Sequence, residues 1–104
     1  MIVSGTVVEA ESGRPLEGLR VRAFDKDLLF DDDLGQAATD ASGRFEIRFT
    51  ESQFRDWNET APDLYLRIFD ASGERLLHST EQTPRTGALV HERFEVRIPG
   101  AALR

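Results

Sequence analysis

Arg44-Phe45-Glu46-Ile47-Arg48-Phe49 alternates without a break, apolar at the odd positions and charged at the even ones. A strand turns successive side chains to opposite faces, so this stretch writes one dry face and one wet face. The same period of two recurs at Leu19, Val21 and Ala23, at Leu64, Leu66 and Ile68, and at Phe94, Val96 and Ile98. Each of these rows is interleaved with a largely polar one, which is how antiparallel sheets with one solvated side are written. Weaker strands are expected at residues 2–9, 34–39, 75–80 and 88–98. Seven or eight short strands separated by turns predict an all-β antiparallel sandwich.

The turns are written in a repeated chemistry. Ser-Gly occurs at Ser12-Gly13, Ser42-Gly43 and Ser72-Gly73, and two of these sites read Asp-Ala-Ser-Gly, at residues 40–43 and 70–73. Aspartate closes an Asx-turn and glycine takes positive φ, so these are tight connections between strands. The even spacing invites a repeat reading, but the intervening strands do not resemble one another. Repeated hairpin chemistry within a single domain spanning residues 1–104 is the expectation.

Composition bounds what such a domain does. The chain has 104 residues, 39% hydrophobic and 31% charged, with a formal net charge of -6. That is enough apolar surface for one core. It is too acidic for a module held by nucleic-acid phosphates. There is no cysteine, which excludes disulfides, thiolate catalysis and cysteine-bound metals. The start, Met1-Ile2-Val3-Ser4-Gly5-Thr6-Val7-Val8, lacks the basic region and long apolar core of a signal peptide, and no run approaches a membrane span. A cytoplasmic location is the default, and a membrane partner is not called for.

One segment breaks the period. Glu51-Ser52-Gln53-Phe54-Arg55-Asp56-Trp57 sets Phe54 and Trp57 three apart behind Thr50, a pattern for one short helix near residues 51–57 laid against the sandwich. Packing is the expected role of Trp57.

Val3-x-Gly5-x-Val7, then Gly13-Arg14-Pro15-Leu16-x-Gly18-Leu19-x-Val21-x-Ala23, then Thr39-Asp40-x-x-Gly43-Arg44-Phe45-x-Ile47, resembles the opening of transthyretin-like and carboxypeptidase regulatory-like domains. Pro62-Asp63-Leu64-Tyr65-Leu66-Arg67-Ile68 extends the likeness more loosely. The resemblance implies a seven- or eight-stranded prealbumin-like (Ig-like) sandwich with a short helix about halfway along. Such domains serve as accessory, adhesion and chaperone-like modules, so it says more of fold than of function. The related hydroxyisourate hydrolases carry a first-strand histidine and a Tyr-Arg-Gly-Ser ending. This chain has neither, and ends Pro99-Gly100-Ala101-Ala102-Leu103-Arg104. Intradiol dioxygenases need paired tyrosines and histidines, which the single Tyr65 cannot supply. The isopeptide of pilin-like domains needs a lysine near the start, and the one lysine is Lys26.

The most distinctive stretch is Asp25-Lys26-Asp27-Leu28-Leu29-Phe30-Asp31-Asp32-Asp33, five aspartates in nine residues. Crowded carboxylates repel unless a cation or a basic partner offsets them. Calcium takes six to eight hard oxygens, so Asp25, Asp27, Asp31, Asp32 and Asp33 are the candidate ligands, with Asp40 or Asp70 as candidate stand-ins for a second loop. The spacing is not that of an EF-hand, and magnesium fits less well. The bland alternative is a solvated acidic loop. Leu28, Leu29 and Phe30 at the tip would dock a partner if they project into water. Folding back over the open end of the sandwich is the expectation for them.

His78 and His91 would face each other if the last two strands formed a hairpin, a metal-free solvent pair by default. No hydroxyl nucleophile has an identifiable base and orienting acid, and there is no glycine-rich phosphate loop. The expected function is therefore a non-catalytic accessory or binding module that takes calcium at residues 25–33. The alternative is a metal-free adaptor that docks another protein, or a parent chain, through an edge strand or the Leu28–Phe30 tip. An enzyme is the minor alternative, and the oligomeric state is left open.

Overall fold

The structure is a computed structural model that describes residues 1–26, 30–49, 63–88 and 90–104. Among the described residues seven strands follow in order: β1 (Ile2–Glu9), β2 (Arg20–Asp25), β3 (Asp32–Ala38), β4 (Arg44–Arg48), β5 (Leu64–Phe69), β6 (Leu76–Ser79) and β7 (His91–Ile98). A 3-10 turn at Gly100–Leu103 closes the chain. The strands form a three-stranded sheet, β4-β1-β7, and a four-stranded sheet, β3-β2-β5-β6, packed as a sandwich. The short helix expected near residues 51–57, with Phe54 and Trp57, lies outside the described residues.

The alternating rows meet between the sheets. Val3 and Val7 of β1, Phe45 and Ile47 of β4, and Phe94, Val96 and Ile98 of β7 face Val21, Ala23, Leu34, Leu64, Leu66 and Ile68 of the other sheet. Burying side chains of this size stabilises by roughly 1.5–3 kcal/mol each before conformational entropy is charged against it. Thr39 is the buried polar exception, and it is fully used. Its hydroxyl donates to the Leu16 carbonyl at 2.6 Å and accepts from the Leu19 N–H at 3.0 Å. It ties the β1–β2 connection to the end of β3.

Every neighbouring pair is antiparallel except one. β7 runs parallel to β1, with Ile2 opposite His91 and Glu9 opposite Ile98. The expected hairpin of the last two strands is thereby corrected: His78 sits on β6 opposite Ile68, and His91 on β7 opposite Ile2. The two histidines belong to different sheets and make no cross-strand pair. β3 begins two residues earlier than the sequence suggests, and it carries a bulge, with Leu34 the extra residue opposite the Ala23–Phe24 step of β2. Asp32 and Asp33 are thus strand residues.

The three Ser-Gly sites are the turns that their chemistry predicts. At residues 40–43 the Asp40 carboxylate accepts the N–H groups of Ser42 and Arg44, both at 2.9 Å, and Gly43 takes φ +74°. Gly5 is constrained differently. It lies between Phe45 and Phe94 in the central strand, and a Cβ there would come within 2.0 Å of the Phe94 carbonyl oxygen. Gly5→Ala must push β7 away and is expected to cost about 2–4 kcal/mol. Gly13, at φ +74° with open space around it, is expected to cost only about 1–2 kcal/mol as alanine. Urea unfolding of the two variants checks this order, and equal losses would contradict the tight β1–β7 approach.

Candidate functional site

The acidic stretch leaves β2 and returns as β3, at the end of the four-stranded sheet where Asp25 stands opposite Leu64 on one side and Asp32 on the other. The outward row of this sheet was expected to lie in water. Part of it does not, because three of its members are aromatic: Phe24 and Tyr65 are buried and Phe69 is half-buried, while Arg20 and Gln36 are exposed. Phe24 and Tyr65 stack with ring centres 5.2 Å apart and planes 17° from parallel, and Tyr65 is 0% exposed.

Cations cover these rings. The Arg67 guanidinium lies 5.1 Å from the Phe24 ring centre and 5.5 Å from that of Tyr65. Arg22 lies 5.3 Å from Phe24, and the Lys26 ammonium 5.7 Å from Tyr65. Contacts of this kind contribute about 0.5–1 kcal/mol where exposed and more where water is excluded. Carboxylates then hold the cations. Asp33 Oδ2 pairs with Arg22 Nη2 at 2.5 Å, and Glu81 bridges Arg67 at 2.6 Å and Lys26 at 3.1 Å. These pairs are partly exposed, so each is weak alone. Their weight lies in being a connected network. The hydrogen bond from Arg67, and then that from Lys26, holds the Glu81 carboxyl below its usual range.

Each described aspartate of the candidate metal set can now be placed. Asp25 Oδ1 accepts the Asp63 N–H at 2.9 Å. Asp31 accepts the Tyr65 hydroxyl in a short hydrogen bond. Asp33 holds Arg22 and also accepts the Gly35 N–H at 2.9 Å. Asp32 stands in the ladder opposite Asp25. Asp27, Leu28 and Leu29 lie outside the described residues. Among the described residues no group of three or more histidines or acids is arranged to hold a metal ion.

Asp40 and Asp70 do not stand in as a second loop. Both follow the opposite end of the sheet, beyond Ala38 and Phe69, which flank Arg20. Six strand residues separate that end from Asp25, about 17 Å along the sheet. The tip differs from expectation too. Phe30 does not fold back over the sandwich: it is 75% exposed beside Asp31.

The aromatic and cationic layer was missed in the sequence, although its signal was present. Phe24, Tyr65 and Phe69 occupy outward positions that alternation assigns to water, and each has an arginine two residues before it or after it on the same strand. An aromatic in a wet row, flanked by guanidinium groups, marks a second packed layer.

The single tyrosine makes the layer measurable. Burial first, and then the hydrogen bond to Asp31, pushes the Tyr65 hydroxyl well above its ordinary value of 10.0. The folded state holds this proton more tightly than the unfolded chain does. Its contribution to stability is whole below the unfolded value and is lost as pH rises toward the higher folded one. Tyrosinate absorbance should therefore stay silent past the ordinary range and appear only with unfolding. Tyr65→Phe should abolish that signal and cost about 1–3 kcal/mol, since Asp31 loses a donor. Ionisation of Tyr65 at the ordinary pH in the folded protein would contradict the arrangement.

No protein-family model matches the chain, and no curated protein matches it. Among solved structures, a 9R-lipoxygenase from Cyanothece PCC8801 is similar, with a TM-score of 0.68 over 91% of this chain at 23% identity. The chain spans only 16% of that lipoxygenase chain. The likeness is one of fold: a β-sandwich that occurs there as a small part of a longer polypeptide.

Proposed function

We propose that the chain is a non-catalytic binding module that docks another protein through its acidic end, with Phe30 as the anchor. The exposure of Phe30 carries this reading. A large aromatic standing in water beside Asp31 and near Asp32 and Asp33 suits a partner that offers an apolar pocket with a basic rim. The internal engagement of Asp31 and Asp33 favours this reading over a metal, because those carboxylates already have donors within the chain. The transthyretin-like or carboxypeptidase regulatory-like reading is supported by the placement of its residues. Val3, Gly5 and Val7 fall in β1, Val21 and Ala23 in β2, and Phe45 and Ile47 in β4.

The probe is an amphipathic peptide with arginine on one face and leucine on the other. The protein should bind it more weakly as salt is raised, and Phe30→Ser should weaken binding by about tenfold without changing the melting temperature. No binding at about 1 mM peptide, or equal binding by Phe30→Ser, overturns the proposal.

Calcium remains the second reading, on one observation: Asp25 stands opposite Asp32, and like charges so placed repel unless a cation lies between them. Calorimetry with calcium alone, repeated on Asp25→Asn and Asp32→Asn, tests it. A saturable heat lost in both variants, with a melting temperature that rises with free calcium, supports the site. No heat and no shift discards it.

A further inference from the structure

The two sheets differ by one strand, and the shortfall is at β7. β3 lies beside β4, and the side chain of Arg85, whose backbone bridges to Leu64 of β5, lies over Phe94 of β7 at 3.8 Å. In the order β4-β1-β7 against β3-β2-β5-β6, β6 therefore extends beyond β7. β7 is an edge strand of eight residues without proline or a bulge. Such an edge presents unpaired backbone groups to any strand that can reach them.

The parallel register tells which groups those are. Ile2 donates to the Val90 carbonyl at 2.8 Å, and Ala10 to the Ile98 carbonyl at 2.9 Å. In a parallel ladder alternate residues of a strand serve one neighbour, so the even residues of β7 face β1 and the odd residues face outward. Among the odd residues, the Arg93 carbonyl is already taken by Arg85 Nη1 at 2.5 Å. The N–H and C=O groups of Glu95 and Arg97 have no partner among the described residues. Their side chains are exposed, while Phe94, Val96 and Ile98 between them point into the core.

We propose that this edge pairs with a second copy of itself, antiparallel about a two-fold axis at Val96. In that register Glu95 faces Arg97 of the second copy and Arg97 faces its Glu95, so the two strands exchange four backbone hydrogen bonds. The same register brings opposite charges together twice on the outer face. On the inner face it sets Val96 against Val96 and Phe94 against Ile98. One step further, Arg93 faces Pro99, which has no N–H to give, and the Arg93 carbonyl needs none because Arg85 supplies it. A register centred two residues earlier would force Arg85 off that carbonyl and set Glu92 against Val96. The earlier register would also bring opposite charges together, Arg93 against Glu95, so it is the hold of Arg85 on the Arg93 carbonyl that selects the pairing about Val96. The two three-stranded sheets become one six-stranded sheet through an isologous contact. The surface is independent of the acidic tip.

Sedimentation at near-physiological salt, over protein concentrations from about 10 µM to about 1 mM, tests the pairing as a small, reversible interface. The wild-type chain should show a monomer–dimer equilibrium. Arg97→Glu should weaken it at least about tenfold, and Glu95→Arg combined with Arg97→Glu should restore it. Arg97→Pro removes an outward N–H without touching the β1 ladder, and it should leave a monomer with a cooperative melt. Because the chain has no cysteine, the register can be read directly. An equimolar mixture of Glu95→Cys and Arg97→Cys chains should oxidise to a mixed disulfide faster than either variant forms its own. Phe30→Ser should dimerise as the wild type does. A wild-type monomer throughout the range, or a dimer indifferent to Arg97→Pro, overturns the proposal.

Discussion

A layer of cations held between aromatic rings and carboxylates is the constraint on which one end of this molecule depends. Five aspartates in nine residues would repel one another from any sheet that offered them nothing. This sheet offers Arg22, Arg67 and Lys26, each lying over the Phe24–Tyr65 pair or its edge. The rings keep water from one side of the cations, and Asp33 and Glu81 neutralise them from the other. Asp31 adds the hydroxyl of Tyr65. Within the chain Arg22 answers Asp33 and the Tyr65 hydroxyl answers Asp31, while Glu81 takes Arg67 and Lys26, and these contacts hold β3 to the sheet. The Nε of Arg22, buried without a hydrogen-bond partner among the described residues, shows how far the ring side of this layer is desolvated.

With Asp31 and Asp33 engaged by Tyr65 and Arg22, the acidic end presents a mixed surface. Phe30 stands outward while the nearby charge remains negative. On the docking reading proposed above, such a surface suits a basic, apolar partner better than a bare cation, since the cation would compete with hydrogen bonds already made. The opposite end of the sandwich has another character. There the Asp40 and Asp70 turns spend their carboxylates on their own backbone N–H groups, and Thr39 spends its hydroxyl on the β1–β2 connection. One end is closed by local turn chemistry and the other by long-range electrostatics.

Most of the sandwich was legible because alternation is a local signal. Phe45, Ile47, Leu64, Leu66, Phe94 and Val96 all lie where their period of two puts them, and the Ser-Gly turns follow from aspartate and glycine alone. Three features were hidden because they depend on partners distant in the chain. The bulge that draws Asp32 and Asp33 into β3 arises from the pairing with β2. The separation of His78 from His91 depends on β7 choosing β1 over β6. The burial of Tyr65 depends on Phe24 of the neighbouring strand and on Lys26, more than thirty residues earlier in the chain. In the candidate site, the aspartates were found by composition, whereas their donors were not, because Arg22 and Tyr65 read locally as ordinary wet-row residues.

The parallel pairing of β1 with β7 bears on how the chain reaches this state. The strand at the middle of the smaller sheet begins at Ile2, and one of its two neighbours begins only at His91. Until residues 91–98 exist, one flank of β1 has no backbone partner, and Val3 and Val7 lie under an incomplete roof. Closing so long a loop delays the reward for ordering its ends, so folding is expected to be slow for a chain of this size. A ribosome-bound or truncated product lacking the last strand would expose an adhesive flank, a natural point of recognition for chaperones.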